Sequence, residues 1–145
     1  MYHYTECGLR NVWLVNGYQV HDTEYGRGVS IDDLEGLHGA IASLLINRKP
    51  ALSGAEFRFL RKELGLPQMR LASILGNNEQ SVALWEKHGR IPKWADRMIR
   101  ALYREKVGGN ARLMDLIERL ADLDRKENRA KWLFESHNGW ELKAA

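Results

Sequence analysis

The chain has 145 residues, 44% of them hydrophobic and 28% charged, the balance of an ordinary globular protein with enough length for a real core. No apolar run approaches the ~20 residues that span a bilayer, and MYHYTECGLRN lacks the basic start and apolar centre of a signal peptide. A cytoplasmic protein with no membrane partner is therefore expected, and its lone Cys7 can form no internal disulfide.

The net charge of +3 is unevenly spread. Residues 1 to 47 carry two basic and six acidic residues, whereas residues 48 to 106 carry thirteen basic and six acidic ones; the remainder balances at seven each. A local excess of +7 is what neutralising backbone phosphates requires, and it predicts binding that weakens steeply with salt. The competing explanation is a set of basic residues that only solvate helix faces.

In the N-terminal third, Val12 to Val15 and Tyr18 to Val20 are β-prone runs around Asn16-Gly17, which predicts a hairpin with a type I′ turn there. A loop containing Gly26 and Gly28 should follow, then a short extended segment, Val29 to Ile31. Asp32 and Glu35 have capping-box spacing, and Leu34, Leu37, Ile41, Leu44 and Leu45 recur as one apolar helix face. Asn47 to Leu52, with Pro50, is the expected boundary.

Ser53 and Glu56 form a second capping box, opening a helix with Phe57, Leu60 and Leu64 inward and Arg58, Arg61, Lys62 and Glu63 on wet faces. Gly65 stops it. A short helix starts near Pro67 and ends at Gly76; Asn77 or Asn78 caps the next, in which Val82 and Trp85 share a face. Trp85 is read as core, not as a base-stacking residue. Pro92 begins a helix with Ala95, Met98, Ile99 and Leu102 inward and Lys93, Arg97, Arg100 and Arg104 outward.

The run LRKELGLPQMRLASILGNNEQSVALWEKHGRIP, Leu60 to Pro92, resembles the Cro/repressor-like XRE family of helix-turn-helix domains. The resemblance rests on the LRKELGL helix end, Gln68, Leu71-Ala72, Leu75-Gly76, and Trp85-Glu86 followed by a Gly and a Pro. Pro67, Asn77 and the extra His88 depart from the family pattern. The whole arrangement is similar to MqsA-type antitoxins, which join a small N-terminal module to such a domain, bind a toxin with one part and repress their own operon with the other. Their zinc-binding members need two C-x-x-C pairs; with Cys7 alone, no zinc site carries over.

The resemblance implies a mainly α fold with small β-hairpins around a lambda-repressor-like domain. Residues 1–50 would be a hairpin-plus-helix module, 51–107 the DNA-binding domain, and 108–145 a helix and hairpin whose leucine stripe and terminal aromatics either pair with a second subunit or cover the monomer's own core. On the recognition helix, Asn78, Glu79, Gln80, Ser81 and Leu84 are the expected base readers: Gln80 can pair bidentately with adenine, Glu79 accept from cytosine, and Leu84 meet a thymine methyl. Gln68, Arg70, Lys87, Arg90 and Lys93 are the expected phosphate contacts, with Gln68 alternatively bracing the recognition helix.

After Gly108-Gly109, Asn110 can cap a fifth helix of this series, striped by Leu113, Leu116, Ile117, Leu120 and Leu123. A charged connector, Asp124 to Lys131, leads to a second hairpin: Trp132 to Phe134, Asn138-Gly139, and Trp140 to Leu142. Such a hairpin is marginal alone and should pack on the first hairpin, on its own helix or on a second subunit.

His3, Cys7, His21 and His38 are the conceivable metal ligands, but no two have ligand-pair spacing, so no metal or cofactor is expected. No phosphate loop or nucleophile elbow marks an enzyme, and Asp32-Asp33 suits a helix start better than acid–base work. The leading expectation is a dimeric repressor binding double-stranded DNA at a palindromic operator, on the nucleoid when bound. The alternative is an antitoxin that neutralises a cognate toxin by direct binding and autoregulates its operon.

Overall fold

The computed structural model describes residues 1–109, 112–123 and 133–143. In chain order it contains β1 (Tyr2–His3), β2 (Trp13–Leu14), β3 (Tyr18–Thr23), β4 (Gly26–Ile31), α1 (Leu34–Asn47), α2 (Gly54–Glu63), α3 (Gln68–Ile74), α4 (Glu79–His88), α5 (Lys93–Val107), α6 (Arg112–Leu123), β5 (Leu133–Ser136) and β6 (Trp140–Lys143). The protein is mainly helical, with small antiparallel strand pairs.

Local chemistry sets the helix ends of the central segment. Ser53 accepts from Glu56 N at 3.2 Å while Glu56 Oε1 accepts from Ser53 N at 2.7 Å, the reciprocal capping box expected at α2. The chain leaves α2 through Gly65, at φ 71°, with Gly65 N bonded to Lys62 O and Leu66 N to Arg61 O. Gly76, at φ 69°, ends α3 by the same pattern. Pro67 occupies the cap position of α3 rather than its first turn, with Gln68 as the first helical residue.

Phe57, Leu60, Leu71, Val82, Ile99 and Leu102 are fully shielded from solvent and form the centre of the core. Each contributes ~1.5 to 3 kcal/mol of transfer free energy. Leu9, Ala42 and Leu45 enter the same buried cluster, so α1 and the segment before it pack on the central helices across Asn47 to Leu52. Two polar fastenings reinforce that junction. Asp96 accepts from Leu52 N at 2.8 Å and from Arg100 Nε at 2.7 Å, and Arg100 Nη1 donates to Leu45 O and Lys49 O at 3.1 and 2.6 Å.

Several expectations are corrected. Asn16-Gly17 is not a hairpin turn: Trp13 and Leu14 pair with His3 and Tyr2, while β3 pairs with β4 from Tyr18↔Ile31 to Thr23↔Gly26. Leu14 is buried and His3 stacks on Trp13 at 4.1 Å, an arrangement that requires β2 to lie beside the chain's first strand. The actual turn is Glu24-Tyr25, closed by Thr23 Oγ1 donating to Gly26 O at 2.6 Å, and Gly26 and Gly28 lie in a strand. Asp33, not Asp32, caps α1, accepting from Gly36 N at 3.1 Å; Asp32 Oδ2 instead accepts from Gln19 Nε2 at 3.1 Å.

Within α1 the buried residues are Ala42 and Leu45, while Leu34 and Leu44 are exposed. Arg61 and Arg100, expected in solvent, are held inward by carboxylates. The stripe on α6 also divides: Leu113 and Ile117 pack against the core, and Leu116 and Leu120 face solvent. Asn110, the connector 124–131 and Trp132 lie outside the described residues. The second hairpin forms, with Phe134↔Leu142 and Ser136↔Trp140 paired across it. It shares no sheet with the other strands among the described residues, and Phe134, Trp140 and Leu142 are exposed.

Candidate nucleic-acid interface

α3 and α4 are joined by the turn Leu75–Asn78, and α4 is fixed at both ends. Asn78 Oδ1 accepts from Ser81 N at 2.8 Å, and Gly89, at φ 73°, provides the left-handed exit where Gly89 N reaches Trp85 O at 2.8 Å. Its inward face is Val82 and Trp85. The Trp85 ring meets Phe57 and Trp94 edge-on, at centroid distances of 6.0 and 5.8 Å, which confirms its place in the core.

A polar clamp fixes α4 against its neighbours. Arg61 donates through Nε and Nη2 to the two Glu86 oxygens at 2.7 and 3.1 Å, and through Nη1 to Leu66 O at 2.8 Å. Gln68 Nε2 donates to Glu86 Oε1 at 3.1 Å. The side chains of Arg61 and Glu86 are 9% and 5% exposed, so this fork joins α2, the α2–α3 loop, α3 and α4 in a nearly dry setting. Gly54 permits the approach: a Cβ there would stand 2.1 Å from Glu86 O and 2.8 Å from Glu86 C.

On the other side of α4, Glu79, Gln80 and Leu84 are exposed and Ser81 is half-buried, so the structure groups four of the expected base readers on the leading turns of one helix. Asn78, also exposed, uses its side-chain carbonyl for the cap, which leaves its NH2 as the group for outside contacts. Lys87, Arg90 and Lys93 follow as exposed cations at the end of α4, in the loop and at the start of α5.

Two expected phosphate contacts sit elsewhere. Gln68 is half-buried in the clamp, which matches its bracing alternative. Arg70 approaches Glu118 of α6 at 3.7 Å, at the α3–α6 junction. Sequence reasoning missed the exposure of Met69 and Trp94. Each sits beside a polar residue marked for phosphate contact, Gln68 and Lys93; only the fold exposes these two apolar side chains.

The conceivable metal ligands are employed separately. His3 Nε2 lies 2.6 Å from Arg10 O, and His21 Nε2 lies 2.9 Å from Ser30 Oγ. His38 bridges Tyr4 OH and Glu63 Oε1, each at 2.8 Å. Burial, assisted by nearby Cys7, Glu6 and Glu63, raises the Tyr4 phenol above its ordinary pKa. Among the described residues no group of three His, Cys, Asp or Glu side chains could hold a metal ion, and no helix is long and apolar enough to cross a membrane.

No protein-family model matches the chain, and neither the curated proteins nor the solved structures give a match to it.

Proposed function

We propose that this protein is a sequence-specific transcriptional regulator that binds double-stranded DNA with α4 in the major groove. It acts as a homodimeric repressor on a palindromic operator. The observation that carries the reading is the two-sided character of α4: Val82, Trp85 and Glu86 are locked into the core and the clamp, while Glu79, Gln80, Ser81 and Leu84 lead outward. A recognition helix must be rigid toward its own domain and polar toward the base edges, and this one combines both properties. The exposed cations Lys87, Arg90 and Lys93, within a segment of net charge +7, support phosphate contact beside that helix. The resemblance of Leu60–Pro92 to the Cro/repressor-like family supports a lambda-repressor-like arrangement of α2 to α5.

Dimerisation fits the exposed apolar side chains of the β5–β6 hairpin, Phe134, Trp140 and Leu142. Two half-sites one helical turn, ~34 Å, apart would then be read by one dimer. Fluorescence anisotropy with the protein's own promoter and with scrambled DNA of equal length, across a salt series, tests the proposal. Preference for the promoter by ~10³ or more, with a steep salt slope, is expected. Equal weak binding to both DNAs would refute it.

A second reading, the antitoxin, is favoured by the acidic N-terminal third and its exposed Trp13, Val20, Tyr25 and Leu44. Coexpression with the product of an adjacent reading frame tests it: relief of that product's toxicity, lost on substitution of Trp13 and Leu44, is expected.

A further inference from the structure

A cavity of about 470 Å³ opens between α1, α5 and α6, on residues that the DNA-binding reading does not use. Its size is that of a small-molecule pocket. Ile46, Ala101 and Leu113 supply its apolar surface, and Arg97, Arg100 and Arg104 supply the charge. The three arginines fall on one side of α5, at i, i+3 and i+7.

Their charge is only partly compensated. Asp96 neutralises Arg100 at 2.7 Å. Arg104 donates to the uncharged side-chain carbonyl of Asn47, and Arg97 has no partner among the described residues. Glu105 is the carboxylate on the wall among the described residues, and one of its oxygens accepts from Leu113 N at 3.2 Å. Arg100 is held in place by Asp96 and by the carbonyls of Leu45 and Lys49, and its remaining nitrogen, Nη2, is buried. Arg100 therefore lends the cavity its positive charge rather than a hydrogen bond, and the exposed guanidinium groups of Arg97 and Arg104 are the ones that can take an oxyanion.

We propose that this cavity binds a small amphipathic oxyanion, a carboxylate or phosphate ester bearing a short apolar group. The oxyanion meets Arg97 and Arg104, with Arg100 behind them, and the apolar group lies on Ile46, Ala101 and Leu113.

Isothermal titration of the full chain, without DNA, tests the site with phenyl phosphate, phenylacetate, inorganic phosphate and 2-phenylethanol. Saturable binding of at least one aromatic anion is expected, and the tighter of the two identifies the head group. Arg97→Ala combined with Arg104→Ala should weaken it at least about tenfold while leaving the circular dichroism spectrum unchanged. Ala101→Phe, which keeps all three arginines and fills the apolar side, should abolish it. Absence of saturable heat from both aromatic anions would overturn the proposal. So would equal affinity for inorganic phosphate or for the alcohol, or binding indifferent to the double arginine substitution.

Discussion

The clamp between Arg61 and Glu86 gives the sharpest test of how α4 is held. Arg61→Met removes both hydrogen bonds to Glu86 and the one to Leu66 O, leaving a carboxylate only 5% exposed with Gln68 as its remaining donor among the described residues. Breaking one side of a buried ion pair costs about 3 to 5 kcal/mol, because the surviving charge is neither hydrated nor compensated. Glu86→Leu should cost as much, since it strands the guanidinium. The double variant Arg61→Met/Glu86→Leu removes both charges together. What then remains is the lost bond at Leu66 O and an unpaired Gln68 amide, about 1 kcal/mol each, so the double variant should lie about 2 kcal/mol below wild type. Urea unfolding followed by tryptophan fluorescence, with Trp85 beside the clamp as reporter, measures all four proteins. If either single variant costs under ~1 kcal/mol, or the double costs the sum of the singles, the two side chains do not form a buried, coupled clamp.

Three further outcomes are expected. Trp85→Ala should remove about 3 to 5 kcal/mol by emptying the space between Phe57 and Trp94, measured as a fall in the urea midpoint; an unchanged midpoint would contradict its core role. Gly54→Ala should destabilise by ~1 to 3 kcal/mol or more, because the added methyl meets the Glu86 carbonyl, a backbone atom that cannot rotate away. Thermal denaturation at wild-type temperature would show that α2 and α4 approach less closely than 2.1 Å implies. Gln80→Ala should leave the melting curve intact and weaken specific operator binding by ~1 to 3 kcal/mol. Unchanged affinity in the anisotropy assay would move base reading away from this face of α4.

Elements governed by neighbours in sequence were legible from the residues alone. Ser53 and Glu56 cap α2, Gly65 and Gly76 stop α2 and α3, and Val82 with Trp85 defines the inward face of α4. In each case the deciding interaction spans a few residues, so composition and spacing contain it. The exposed set Glu79, Gln80 and Leu84 was legible for the same reason, as the complement of that inward face.

Long-range partners settled the rest. Asn16-Gly17 has the best local turn chemistry in the N-terminal third, yet β2 pairs with β1 because the chain's first strand offers Trp13 a histidine to stack on and helps bury Leu14. Arg61 sits at a position that periodicity assigns to solvent; a glutamate 25 residues later makes it interior. Gly54 reads as an ordinary residue in a helix start until the carbonyl of Glu86 lies over it. The ends of the central helices and the direction of their apolar faces follow from short-range competition among hydrogen bonds and side-chain spacing, which the residue order already contains. Strand pairing, the burial of charge and the need for glycine at position 54 arise only on folding, because each depends on groups that the chain brings together from far apart.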